Sequence, residues 1–204
     1  MDFTGYKMNY DEMKNKLEQM LSIKRYLHSL RVADEAVAIA KHYGIDEQKA
    51  YLAGLLHDCA KNINTMQSIN ILEKNGVSLT ECEKMSSGLL HAPLGAIIAA
   101  KEFLVDDSEV LNAISCHTTG KANMSELDKV IYLADLIEPG RNYVEIDSLR
   151  EAVYDNLNNG MFAGLDYSIK YVLLKKSVLH PNTVEAWNYI RINNEEDLNI
   201  ERRC

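Results

Sequence analysis

The segment Ala50-Tyr51-Leu52-Ala53-Gly54-Leu55-Leu56 constrains this chain more than any other. From Ala53 to Leu56 it is apolar around the whole helical circumference, so a helix here must be enclosed by other elements. It then runs directly into His57-Asp58. Burying an ionisable pair is costly unless a partner or a metal satisfies it. Imidazole and carboxylate together suit zinc, iron, manganese or nickel. Adjacent helix residues diverge by about 100°. Both can therefore reach one ion only at the helix end, or Asp58 can bridge two ions with its two oxygens. Alone, the dipeptide is a weak signal, since a core histidine beside a helix-terminal aspartate is commonplace.

The rest of the chain supplies helices to do the enclosing. Only three prolines interrupt it, Pro93, Pro139 and Pro181, and helix formers abound. A first helix is expected near Tyr10–Leu21 and a longer one over Ser22–Tyr43, closed by Gly44. Asp46 is placed to cap the helix leading to His57-Asp58. Thr80 with Glu83, Ser125 with Asp128 and Asn182 with Glu185 match capping boxes. Pro93 suits the first turn of a helix reaching Phe103. Further helices are expected over Ser108–His117, from Ser125 to near Glu138-Pro139-Gly140, over Ile146–Asn158 and Phe162–Ser177, and near Thr183–Ile192. No period-2 run suggests a strand, and the charged tail Asn193–Cys204 is expected to fray. The reading is one all-α domain across residues 1–204, with the core over about 20–190.

Bulk properties exclude several classes. The formal net charge of −8 argues against nucleic acid held on a basic face. It leaves room for a small anionic substrate, because bound metal ions invert the local field. Cys59, Cys82, Cys116 and Cys204 form no C-x-x-C pair, so reduced thiols in the cytoplasm are expected and a structural zinc site is not. The N-terminal stretch has no apolar signal-type core, and no apolar run nears the roughly 20 residues of a membrane span.

Four more ligand-type residues sit on or beside apolar helices: His28, His91, His117 and Asp135. Asp135 lies within Val130-Ile131-Tyr132-Leu133-Ala134-Asp135-Leu136-Ile137, where a carboxylate needs a reason. Singly each suits a structural role; the ordered set H…HD…H…H…D is specific. The stretches KRYLHSLRVA (24–33), AGLLHDCAK (53–61), LHAPLGA (90–96), CHTTG (116–120) and KVIYLADLIEPGR (129–141) resemble the HD superfamily of metal-dependent phosphohydrolases. More closely, they are similar to the YqeK family of symmetrical diadenosine tetraphosphate hydrolases. That resemblance implies an HD-domain helical bundle. It also implies a di-metal centre, usually iron, although other divalent metals are open, with His28, His57, Asp58, His91, His117 and Asp135 as ligands. Simpler one-metal HD enzymes use only the equivalents of His28, His57, Asp58 and Asp135, so His91 and His117 favour a second ion.

The implied reaction is attack of activated water on a phosphoanhydride of diadenosine tetraphosphate, giving two ADP. Asp58 is expected to bridge the metals and orient the nucleophile. Lys61, three residues on, shares its side if the helix continues and is the best phosphate contact. Arg141 follows Pro139-Gly140 and could bind phosphate bidentately. Arg25 shares the face of His28. Thr118, Thr119 and Gly120, beside His117, offer hydroxyls and N–H groups, and His91 is expected to touch substrate as well as metal. His42, His180, Cys59, Cys116, Trp187 and Tyr189 are read as structural. The expected partner is a small nucleotide polyphosphate, with a homodimer left open and neither nucleic acid nor membrane. The competing readings are another HD nucleotide phosphohydrolase (acting on deoxynucleotides or guanosine polyphosphates), an HD-type di-iron oxygenase, and a metal-stabilised adaptor without activity.

Overall fold

The computed structural model describes residues 7–194, all of whose regular elements are helical. The helices are α1 (Tyr10–Met20), α2 (Ile23–Tyr43), α3 (Glu47–Leu56), α4 (Thr65–Lys74), α5 (Glu81–Met85), α6 (His91–Glu102), α7 (Ser108–Cys116), α8 (Glu126–Ile137), α9 (Ile146–Asp155), α10 (Leu157–Leu174) and α11 (Pro181–Asn193). A short 3-10 turn, Ser87–Leu89, leads into α6. Among the described residues, no helix is long and apolar enough to cross a membrane. The tail expected to fray lies, apart from Asn193 and Asn194, outside the described residues.

Local chemistry explains most helix ends. Asn9 with Glu12, Thr80 with Glu83 and Ser125 with Asp128 form capping boxes, in which side chain and backbone satisfy each other's exposed donors. Ser22 caps α2, whose far end stops at Gly44 in the left-handed region (φ 70°). The Asp46 carboxylate accepts from the backbone N–H groups of Gln48 and Lys49 at the start of α3.

Helix α3 is the central rod. Ala50, Leu52, Ala53, Gly54, Leu55 and Leu56 are all buried, and α2, α7 and α8 pack around it. The approach of α2 is close enough that a Cβ on Gly54 would lie 2.9 Å from the Ala33 Cα and 3.1 Å from the Val32 carbonyl oxygen. A buried apolar cluster runs without a break from Met13 on α1 to Ile190 on α11.

Three expectations are corrected. Helix α4 was not anticipated, because only Ser68 and Leu72 are buried on it and its apolar period is thin. The break expected between residues 158 and 162 falls at Asn156 alone, which is extended (φ −152°, ψ 130°) and caps α10 through Asn158 N and Asn159 N. The run Asn158-Asn159-Gly160 is thereby helix rather than linker. Finally, Asn182 does not cap α11. His180 does, its Nδ1 accepting from the Asn182 N–H at 3.2 Å, with Pro181 as the first helical residue. Proline is preset for that position and loses no hydrogen bond there.

Candidate metal centre

Five segments converge on one point. Helix α2 brings His28 and Arg25, the end of α3 and the turn after it bring His57, Asp58 and Lys61, the start of α6 brings His91, the end of α7 brings His117, and α8 brings Asp135. His28, His57, Asp58, His91 and His117 are all buried, and their donor atoms cluster with those of Asp135 in three overlapping groups. These are His28–His57–Asp58, His57–His117–Asp135 and Asp58–His91–His117, each within 4.8 Å.

The histidine rings are held in one tautomer. Nδ1 of His57 lies 2.7 Å from the Gly54 carbonyl, Nδ1 of His91 lies 2.7 Å from that of Gly88, and Nδ1 of His117 lies 2.7 Å from that of Ile114. A carbonyl only accepts, so each Nδ1 carries the proton and each Nε2 offers a lone pair. His57 and His117 directly follow their helices, and the carbonyls they use belong to the last turn, which has no intrahelical donor. The ring therefore satisfies the helix end while the helix end aims the ring.

Those lone pairs face other acceptors. His28 Nε2 is 2.9 Å from Asp135 Oδ1, His91 Nε2 is 3.0 Å from Asp58 Oδ1, and the Nε2 atoms of His91 and His117 are 3.1 Å apart. His28 Nε2, His57 Nε2 and Asp58 Oδ1 are buried without a hydrogen-bond partner. Acceptors packed this closely repel unless positive charge lies among them, and a cluster of imidazole and carboxylate donors suits a divalent transition metal. The residues therefore fit a metal centre. Asp58 is split between two sets: Oδ2 faces His57 (3.4 Å) and His28 (3.8 Å), and Oδ1 faces His91 (3.0 Å) and His117 (3.8 Å).

Electrostatics keep most of these groups in their donor form. Burial would raise the Asp58 and Asp135 carboxyls, but the neighbouring imidazole and cationic groups win and hold both far below the usual carboxylate range. For Asp58 these are His57, His91 and Lys61; for Asp135 they are His28, His57 and Arg141. Burial lowers His91, and burial with the nearby His57 and His91 rings lowers His117 to about 3. His57 differs. Burial pulls it down, but the Asp58 and Asp135 carboxylates and the Gly54 carbonyl together outweigh burial and leave it raised.

Three cations rim the cluster. Arg25 Nη1 lies 2.6 Å from Asp58 Oδ2. Arg141 donates from Nε to the Asp135 carbonyl at 2.8 Å and from Nη2 to its carboxylate. Lys61 Nζ reaches His91 Nε2 at 3.1 Å and Asp58 Oδ1 at 3.6 Å. The α-helix does not continue past His57 as the sequence reading required. The chain instead turns with i→i+3 bonds, Leu56 O to Cys59 N and Asp58 O to Lys61 N. Such turns eclipse residues three apart, so Lys61 still stands over Asp58. Burial lowers the Lys61 ammonium, against the pull of Asp58.

The loop after His117 is less committed to the cluster. Thr118 and Thr119 are half-buried, and the Thr119 hydroxyl donates to the Gly120 carbonyl. Gly120 has φ 65° and lies against Ala186 and Met124, where a Cβ would come within 3.2–3.3 Å. Residues read as structural have structural contacts. Cys59 Sγ faces the Gly95 carbonyl at 3.4 Å, and burial raises both the Cys59 and Cys116 thiols, Cys116 to about 12. His42 packs edge-on to Tyr43 and Tyr154, and Trp187 packs on Phe162. The Tyr189 hydroxyl donates to Asn123.

Glu138 was missed by sequence reasoning. It is buried, its Oε1 accepts from His28 Nδ1 at 3.0 Å, and its Oε2 accepts from Arg31 Nε and Gly140 N, each at 2.5 Å. A signal was available. An acidic residue at a helix C-terminus opposes the macrodipole and so needs nearby donors.

Comparison with known proteins agrees with this geometry. A family model described as the HD domain matches residues 25–140. A symmetrical bis(5'-nucleosyl)-tetraphosphatase of Halalkalibacterium halodurans is 35% identical over 183 residues, covering 90% of this chain and 97% of the relative. The protein of the same description from Bacillus subtilis is 32% identical over 185 residues, covering 90% and 98%. A crystal structure from Clostridium acetobutylicum, described as a "predicted HD superfamily hydrolase involved in NAD metabolism", superposes with a TM-score of 0.90. It is 44% identical and covers 93% of this chain and 100% of its own.

Proposed function

We propose, since this chain belongs to the HD-domain family and within it to the symmetrical bis(5'-nucleosyl)-tetraphosphatases, that it hydrolyses diadenosine tetraphosphate to two ADP. The observation that carries this reading is the convergence of six imidazole and carboxylate donors, with acceptors facing acceptors, inside a ring of three cations. His28, His57, Asp58, His91, His117 and Asp135 would hold two divalent ions, and iron is our proposal for them. A bound divalent ion lowers the pKa of water and screens phosphate charge.

The chain's own part in the reaction follows from its contacts. Asp58 is proposed to span the two halves of the centre, because each of its oxygens faces a different pair of histidines. Arg141 spends Nε and Nη2 on Asp135, leaving Nη1 for a phosphate oxygen. Lys61 and Arg25 are proposed to shift from Asp58 to phosphate when the polyphosphate enters. His91, Thr118, Thr119 and Gly120 complete the proposed substrate contacts. Residues of about 20–190 are taken as one catalytic domain, a reading supported by the unbroken apolar cluster. We place the protein in the cytoplasm, in keeping with the free buried thiols of Cys59 and Cys116.

Incubating the metal-loaded protein with diadenosine tetraphosphate tests the reading. ADP as the only nucleotide product is expected. ATP plus AMP would reject symmetrical cleavage, and no turnover with any divalent metal would reject the function. A chelator should abolish turnover and metal return should restore it, with elemental analysis naming the ion. Arg141→Lys should keep the charge but lose the planar fork. Its expected cost is about 10- to 100-fold in kcat/KM, the worth of one hydrogen bond to a charged group, with a smaller change in metal content.

A further inference from the structure

Three of the four histidines in the cluster are oriented by carbonyls three residues upstream, those of Gly54, Gly88 and Ile114. His28 cannot use that device. It lies inside α2 (Ile23–Tyr43), where the upstream carbonyls are engaged in the helix's own hydrogen bonds. Its Nδ1 therefore needs an acceptor from another element. Glu138, just past the end of α8, supplies it at 3.0 Å.

The same carboxylate has a second duty. Its Oε2 accepts from the Gly140 N–H at 2.5 Å, within the turn Glu138-Pro139-Gly140-Arg141, which is closed by an Arg141 N to Glu138 O bond of 2.8 Å. That turn sets where the Arg141 guanidinium begins. Arg31 holds the carboxylate in place from outside, with Nε 2.5 Å from Oε2. Arg150 steadies the turn's backbone through the Ile137 and Glu138 carbonyls.

We infer that Glu138 is a positioning residue coupling the two halves of the site. One oxygen holds the His28 ring with Nε2 toward the metal centre, and the other holds the turn that presents Arg141 to phosphate. This rests on the metal-centre reading above and not on the identity of the nucleotide. A ligand histidine whose second nitrogen donates to a carboxylate is fixed in tautomer and made a better donor, and removing such a partner typically weakens metal binding 10- to 100-fold.

Glu138→Gln is the informative variant. One amide oxygen cannot accept from His28, Arg31 and Gly140 together, and the amide NH2 set opposite His28 Nδ1 would favour the opposite tautomer. We expect Mn2+ titration of the metal-free variant to show affinity about 10- to 100-fold below wild type, with helicity retained. The Arg141 Nε–H resonance, bonded to the Asp135 carbonyl in wild type, should move toward that of free arginine. Wild-type Mn2+ affinity in a folded Glu138→Gln protein would overturn the His28 half, and an unmoved Arg141 signal would overturn the Arg141 half. Should the variant fail to fold, nitrogen NMR of wild-type His28 decides. The Nδ1–H tautomer is required, and Nε2–H would overturn the inference. None of these readings needs turnover, so failure of the protein to cleave diadenosine tetraphosphate would refute the proposed function without touching this one.

Discussion

Asp58→Asn should reduce hydrolysis by at least about 10³-fold in kcat, roughly 4 kcal/mol of lost transition-state stabilisation, and should reduce bound metal as well. The asparagine keeps the size and one acceptor, but it turns one end of the bridge into an NH2 donor. That donor would face either His28 and His57 or His91 and His117, whose Nε2 lone pairs could accept from it but could no longer share a cation with it. The fold should survive, because the asparagine matches the carboxylate in shape and the apolar cluster that holds the helices together does not include Asp58. The measurement is a product assay beside elemental analysis on the same preparation. Near-normal turnover with full metal content would sink the bridging role. Lost turnover with metal retained would keep Asp58 in the reaction but deny that it holds the ions.

The second large effect reaches the site through packing. Gly54→Val should destabilise the protein by about 3 kcal/mol or more, beyond the usual cost of an overpacked core, because the added carbons meet α2 backbone rather than a movable side chain. For a chain of this length that is a drop of roughly 6–12 °C in Tm. Gly54 also carries the carbonyl that fixes His57. Metal affinity should therefore fall in whatever fraction stays folded, since α3 can relieve the clash only by moving away from α2 and His28. Gly54→Ala should show the same two changes at smaller size. Thermal melting and Mn2+ titration read them separately. A Gly54→Val protein of wild-type stability would show that the α2–α3 approach is softer than its distances imply.

Much of the fold was legible because its signals are local. The caps at Asp46, Thr80 and Ser125, the stop at Gly44 and the all-round apolar character of Ala53–Leu56 act within a few residues, and each stands where expected. Helix α4 escaped because little of it is buried, and the α9–α10 junction escaped because one extended asparagine makes the break. The cap of α11 was assigned to Asn182 when His180 supplies it, since a histidine seldom competes with asparagine for that place.

The candidate site divides in the same way. Residue types and chain order alone, in the pattern H…HD…H…H…D, singled out all six donors that the structure brings together. Which nitrogen of each ring is bare, which carboxylate oxygen faces which histidines, and how Glu138 ties His28 to the Arg141 turn were decided only by tertiary structure. The physical reason is range. A helix cap or an apolar face is set by neighbours in the chain, whereas His28 and Glu138 are 110 residues apart, and only the packing of α2 against α8 brings an acceptor to a ring whose own helix has none to spare.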